Sequence, residues 1–410
     1  MRSILTLLLS AVLTGCAGIV PSAPPTDGSG GPAMASVRPT SVPLPKHETY
    51  GFVPYWEMDD SIAAHLATVE LTTLGLFSVT HRRDGRLDDG QNGWRRIDGP
   101  VGQQMLEEAH ARGTRVELVY TSFGAPKNRQ FYADAAAQER WIEVLVGLVE
   151  GHGFDGINVD VEALPPELVV DYGLFVGRLR SALRAAVPGA QVSVATQANE
   201  VGAAMAAAAG AAGADRIFLM GYDYRTAGSQ PGASAPIDRL DGEAKDLVWS
   251  LDLYGALGVP VERTILGLPL YGVTWPVIGP GFGSPSTGRG DTWVPRRNLA
   301  VFADPSFAPT FEPTESVEFY AVSSGRGAAE SAGGSPAGPV AASAGPTADP
   351  GWNAVYYDSP RSLAPKLALA DARGLAGAGF WAIGYERGLP GYGELIAAFR
   401  AGELGSASGR

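Results

Sequence analysis

The stretch Phe154-Asp155-Gly156-Ile157-Asn158-Val159-Asp160-Val161-Glu162 concentrates residue types that can move protons. Side chains alternate across a strand, so Ile157, Val159 and Val161 share one face while Asn158, Asp160 and Glu162 share the other. An acidic face interleaved with valines must point into the protein, where carboxylates cost several kcal/mol unless they are paired or neutral. That cost is accepted for chemistry, not for stability. Two residues of strand rise put the Cα atoms of Asp160 and Glu162 about 6.6 Å apart, close enough for the side chains to share a proton. Apolar walls and a neighbouring carboxylate both raise the pKa of Glu162, which suits a general acid near neutral pH. Asp155 falls on the parity of Ile157 unless a bulge near Gly156 turns it inward.

The elements that must hold these residues recur along the chain. Short apolar runs at 50–56, 71–79, 115–122, 154–162, 191–196, 215–223, 264–271 and 379–383 alternate with helical stretches. Trp141, Leu145, Leu148 and Val149 follow helical spacing, and 362–373 and 393–401 also read as helices. Eight such repeats predict an α/β fold with a parallel sheet, either closed as a barrel or open and doubly wound. An open nucleotide-binding sheet should carry GxGxxG after its first strand, and Trp56 is followed by Glu-Met-Asp-Asp instead. The reading is therefore a (β/α)8 barrel. Glu162 ends the fourth strand, at the barrel face where active sites lie.

The βα rhythm breaks between residues 273 and 357, which predicts a small β-containing insertion between strands 7 and 8. Within it, the Gly/Ala/Ser/Pro-rich segment 323–350 is expected to be a disordered loop. Residues 47–272 would then form strands 1–7 of the catalytic barrel, 358–402 its closure and 403–410 a tail. Residues 1–16 read as an export signal, with Arg2 before an apolar run that is too short to span a bilayer. The ending Leu13-Thr14-Gly15-Cys16 is similar to the lipobox of bacterial lipoproteins, and Cys16 is the sole cysteine. Lipidation there predicts a membrane-anchored envelope protein, with 17–46 as a Pro/Ser/Gly-rich disordered tether. An ordinary secretory signal is the alternative. A net charge of −12 argues against a nucleic-acid surface. Five scattered histidines without HExxH spacing predict no catalytic metal, and nothing calls for a cofactor.

The acidic strand resembles the signature Asp-Gly-x-Asp-x-Asp-x-Glu of the family 18 glycoside hydrolases, matched at Asp155, Gly156, Asp160 and Glu162. Further likenesses are Met220-Gly221-Tyr222-Asp223 on strand 6, Gly267-Leu268-Pro269-Leu270-Tyr271-Gly272 on strand 7, and Trp381 on strand 8. Two positions depart from the chitinase pattern. Asn158 replaces the middle Asp and cannot relay its proton, and Ala125 stands where a second Gly usually follows strand 3. Both look like the branch of the family that acts on bacterial cell wall and spore cortex.

The resemblance implies hydrolysis of a polysaccharide with 2-acetamido sugars, chitin-type β-1,4-linked N-acetylglucosamine in the first instance. A peptidoglycan N-acetylglucosaminidase and a non-catalytic carbohydrate-binding lectin are the alternatives. Most retaining glycosidases need a second carboxylate as nucleophile. Barrel hydrolases commonly place it on strand 7, where this chain has no acid, and the family uses the substrate's acetamido oxygen instead. By the family's pattern Glu162 is the acid and base, Asp160 orients the acetamido group, and Tyr222 hydrogen-bonds its oxygen. Asp223 assists, Asp155 and Asn158 support Asp160 from below, Trp381 lies under the sugar, and Met220 is a further substrate-binding residue. Tyr55, Trp56, Tyr271 and Trp275, at strand ends, are expected to line the cleft or to pack. Glu386 and Arg225 are further candidate substrate contacts.

Overall fold

The computed structural model describes residues 45–323 and 351–404. The lipobox with Cys16, residues 17–44 of the expected tether, residues 324–350 of the expected loop and residues 405–410 lie outside this range. Eight parallel strands close into a barrel. In chain order these are β1 (Glu48–Pro54), β2 (Thr73–Val79), β3 (Arg115–Phe123), β4 (Gly156–Glu162), β5 (Gln191–Gln197), β6 (Arg216–Met220) and β7 (Thr264–Pro269). Five strands of a second sheet follow, β8 (Gly272–Val277), β9 (Asp291–Trp293), β10 (Thr310–Glu312), β11 (Val317–Ser323) and β12 (Trp352–Tyr357). The eighth barrel strand is β13 (Gly377–Trp381). Around the barrel the order is β1-β13-β7-β6-β5-β4-β3-β2, so β13 closes the ring between β7 and β1. The fold is a (β/α)8 barrel.

The helices cover the outside because one stripe of each is apolar. The helix Ala135–His152 begins where Asp134 accepts the Ala137 amide at 2.9 Å and ends at Gly153, whose φ of 77° needs no Cβ. Its buried stripe of Trp141, Ile142, Leu145 and Val149 belongs to one cluster with Ile157, Val159 and Val161 of β4. Truncating a residue such as Leu145 to Ala there costs about 2–5 kcal/mol.

The barrel interior is aromatic. Tyr50 and Phe52 of β1 meet Phe218 of β6, with Phe52 and Phe218 edge-to-face at 4.9 Å. Phe218 fits because two neighbouring strands present glycine to it. A Cβ on Gly267 or Gly379 would lie 2.3 or 2.4 Å from its ring. The glycine of Gly267-Leu268-Pro269 is therefore a space requirement of the barrel floor.

The second sheet has the order β10-β11-β12-β8-β9, all antiparallel, and its strands fall between β7 and β13 in the chain. Trp275 lies in its core, with no exposed surface and its ring edge-on to Tyr356 at 5.7 Å. Its expected place in the cleft is thus corrected: on β8 it points into the sheet's own packing. Arg225 is likewise no substrate contact. It is buried in a bidentate pair with Glu315 at 2.8 and 2.9 Å, tying the segment after β6 to the second sheet. Glu386 is buried too, bonded to His65 Nε2 at 2.6 Å and accepting the Gly384 amide at 2.8 Å. It braces the turn after β13. Among the described residues no helix is long and apolar enough to cross a membrane.

Candidate active site

The C-terminal ends of the strands open into a cleft of about 790 Å³. Its lining includes Asp160 and Glu162 from β4, Gln197 from β5, Met220 from β6, Tyr222 and Asp223 just beyond it, Tyr271, and Trp381 from β13. Tyr55 and Trp56 line it as well. The residues expected at the site are therefore together, with Trp275, Arg225, Glu386 and Asp155 outside it.

Asp155 sits at the other end of the strand. Its Oδ2 accepts the Val116 amide and pairs with His110 Nε2, both at 2.8 Å. The pairing of β4 with β3 and β5 runs unshifted from Gly156 onward, so no bulge turns Asp155 inward. It supports the barrel's base and not Asp160.

Asn158, Asp160 and Glu162 do share the inner face, at increasing distance from that base. Asn158 is fully buried, Asp160 is nearly so, and Glu162 is half-buried at the cleft. Burial pushes the Asp160 carboxyl well above the usual carboxylate range, and the charge of Glu162 adds to this. The Glu162 carboxyl is also raised, by burial and then by the charge of Asp223. Gln197 opposes that rise by donating to Glu162 Oε2 at 3.0 Å.

Asp160 Oδ1 is buried and has no hydrogen-bond partner, and so is Asn158 Oδ1. A buried acceptor without a donor is rare enough to call for an explanation. The Asn158 amide donates to Ser193 Oγ at 2.7 Å. Ser193 in turn donates to Glu117 Oε2, which also accepts from Tyr50 at 2.9 Å. Burial lifts the Glu117 carboxyl to about 7. A connected polar layer thus underlies the acidic end of β4, with its ionisable group on β3 and a neutral amide on β4.

On the opposite wall, the backbone turns sharply after β6 and Asp223 adopts a φ of 63°. Its Oδ1 accepts from Tyr271, and its amide donates to Ser234 Oγ at 3.0 Å. Burial raises the Tyr222 hydroxyl pKa well above its usual value, with help from Asp160, Asp223 and Glu162. Tyr222 therefore stays protonated, and a hydrogen-bond donor, at neutral pH. Trp381 forms the floor, edge-on to Phe77 at 4.9 Å and close to Phe52 and Trp56. A half-buried aromatic floor beside the acids suits the apolar face of a sugar ring.

Sequence reasoning missed Gln197, Glu117 and the cleft residues Phe123 and Lys127. Glu117 carried a usable signal. It has the inward parity of Val119 and Thr121, and its neighbours Val116, Leu118, Val119 and Tyr120 are all apolar or aromatic, the same kind of pattern that drew attention to β4. Gln197 lies one residue past the expected end of its strand. Among the described residues no group of three or more His, Cys, Asp or Glu side chains is placed to hold a metal ion.

Comparison with known proteins returns one family. The model described as glycosyl hydrolases family 18 matches residues 80–386. The oviduct-specific glycoprotein of Ovis aries is 25% identical over 201 residues, covering 44% of this chain and 36% of that protein. The chain thus spans little more than a third of that relative's length. Among solved structures, the spore cortex-lytic enzyme SleL of Bacillus cereus aligns with a TM-score of 0.64 at 20% identity, covering 86% of this chain and 74% of that one. A family 18 chitinase from Cycas revoluta, solved in complex with (GlcNAc)3, aligns with a TM-score of 0.66 at 18% identity, covering 88% and 99%.

Proposed function

The chain belongs to the glycosyl hydrolases of family 18, and from that premise we propose that it cleaves a β-1,4-linked polysaccharide at a 2-acetamido sugar, with retention and with the substrate as its own nucleophile. The observation that carries this is the unpartnered, buried Oδ1 of Asp160 beside Glu162. Asp160 lines the cleft, and an acetamido N–H supplies the missing donor once the carboxylate turns that oxygen toward the substrate. Tyr222, kept protonated, is the matching donor for the acetamido oxygen, and Trp381 is the surface for the ring. The end of β7 offers Tyr271 where other barrel glycosidases carry an acid, so an enzymic nucleophile is not supplied from that strand.

In the first step Glu162 gives its proton to the glycosidic oxygen as the C1–O bond breaks. The acetamido oxygen attacks C1 and closes a five-membered oxazolinium ring. Positive charge spreads over that ring, and the Asp160 carboxylate lies where it counts most, in a site of low dielectric. The leaving sugar departs as a neutral alcohol. In the second step the Glu162 carboxylate takes a proton from water while the water oxygen attacks C1. The ring opens, the acetamido group is restored, and the product keeps its original configuration.

Asn158 contributes a neutral amide beneath Asp160. It has no titratable proton and adds no second negative charge, so it leaves Asp160 easier to ionise than an aspartate there would. Its own Oδ1 gains a donor when Asp160 is protonated and turned toward it. The test is a substrate pair. An N-acetylglucosamine oligomer should be cut, and a glucose oligomer of equal length and linkage should not, because it brings no nucleophile. Efficient cleavage of the glucose oligomer would overturn the mechanism.

A further inference from the structure

The acids of the cleft are used in the mechanism, whereas its cations are not. Lys127, Arg239 and Lys245 line the cleft. Arg239 is clamped on Asp241, at 2.9 and 2.5 Å, and Lys245 pairs with Glu200 at 2.9 Å. Lys127 is different. Among the described residues its Nζ bonds Thr80 Oγ1 at 2.5 Å and pairs with no carboxylate. Asp88 is the acid whose charge acts on it, and that carboxylate faces Arg82 at 3.6 Å. Lys127 is half-buried, and burial holds its ammonium below the usual lysine range. A partly desolvated cation without a counter-ion is costly. In a cleft wall, a ligand that brings its own anion offsets that cost.

The position of Lys127 is tied to the acid. Lys127 lies in the first turn of the helix Ala125–Tyr132, which starts at Gly124 directly after β3. The Gly124 amide and the Asn128 side-chain amide both donate to the Glu162 carbonyl, at 3.2 and 2.8 Å. The helix that carries Lys127 is thus pinned to the backbone of Glu162, on the β3 side. Tyr222 and Asp223 stand on the other side, beyond β6. The positive end of the helix dipole adds to the ammonium at this spot. Phe123, an exposed aromatic at the end of β3, gives a sugar ring a surface next to it.

We propose that Lys127 forms an anion subsite beside Glu162, and that the natural glycan carries a carboxylate on the sugar at the leaving-group side of the cleaved bond. This rests on the function proposed above, since the acetamido sugar on the Tyr222 side leaves the Lys127 side to the departing sugar. A lactyl ether on an alternating amino-sugar chain supplies such a carboxylate, as does a uronic acid. A neutral homopolymer supplies none.

The probes are two tetrasaccharides that alternate N-acetylglucosamine with N-acetylmuramic acid or with glucuronic acid, both without peptide, together with the methyl ester of each. Binding is measured by calorimetry and cleavage by product release, for the parent protein and for Lys127→Met and Lys127→Arg. One charge-assisted contact predicts that the parent binds one of the free acids about tenfold or more tighter than its ester. Lys127→Met should bring that ratio near one, and Lys127→Arg should keep most of it. The acid with the larger ratio identifies the carboxylate source. A parent that binds acids and esters alike, or a preference that survives Lys127→Met, overturns the subsite. If the acid preference holds in binding while no oligomer is cut, the subsite stands and the hydrolytic function falls. If acid and ester are cut and bound equally, the function stands and the subsite falls.

Discussion

Glu117→Gln replaces the buried carboxyl beneath the cleft with a neutral side chain of the same shape, and its effect should depend on pH. The Glu117 carboxyl has an ordinary value of 4.5 and is raised to about 7 in the folded protein, chiefly by burial. Below pH 4.5 it is protonated in both states, and its contribution to stability is fully present. Between pH 4.5 and about 7 the folded state holds a proton that the unfolded chain has released, so stability falls as pH rises. Above about 7 the loss is complete. At about 1.4 kcal/mol per pH unit, this window is worth about 3 kcal/mol. The Gln side chain keeps an acceptor for Tyr50 and Ser193, and it brings amide donors into a layer where Asn158 Oδ1 lacks one. The assay is the urea midpoint of parent and variant at pH 4.5 and pH 8. Asp160 and Glu162 give slopes of the same sign in both proteins and cancel from the difference. The parent should lose about 3 kcal/mol more than the variant between the two pH values. Parallel pH profiles would refute a buried Glu117 that binds its proton this strongly.

Glu162→Gln should leave folding and oligosaccharide binding in place and lower turnover by at least about 10²–10⁴-fold, the worth of general acid catalysis; near-normal rates would remove it from the reaction. Gln197→Leu deletes a hydrogen bond that favours the Glu162 carboxylate, so the alkaline limb of kcat/KM should move to higher pH; an unmoved or lowered limb would contradict the assignment. Cys16 is proposed as the lipidated mature N-terminus, and mass spectrometry of detergent-extracted protein should find it acylated; an unmodified product cleaved elsewhere would refute this.

The site was legible where side chains had to violate the environment of their strand. Three polar residues alternating with Ile157, Val159 and Val161 are incompatible with a packed barrel interior, so β4 announced both its inward face and its use. The βα rhythm with no Gly-rich loop led to the closed barrel, because strand and helix periods are local properties of the chain. Trp275 was misplaced for the opposite reason. A Trp just after a barrel strand reads the same whether the chain turns into the cleft or into a new sheet, and that depends on pairing with β12, more than seventy residues away. Arg225 and Glu315 are equally remote in sequence, so a buried pair between them leaves no local trace. Asp155 was carried to the site by its motif, although its parity already set it apart. Lys127 gave no sign in sequence, since an unpaired lysine differs from a paired one only through neighbours brought by the fold.

The most direct measurement of substrate-assisted catalysis is the anomer first formed when an N-acetylglucosamine oligomer is hydrolysed, followed by proton NMR before mutarotation. Attack by the acetamido oxygen and then by water inverts C1 twice, so the β-linked substrate should release the β-anomer first. Initial release of the α-anomer would require a single direct attack by water and would contradict the mechanism.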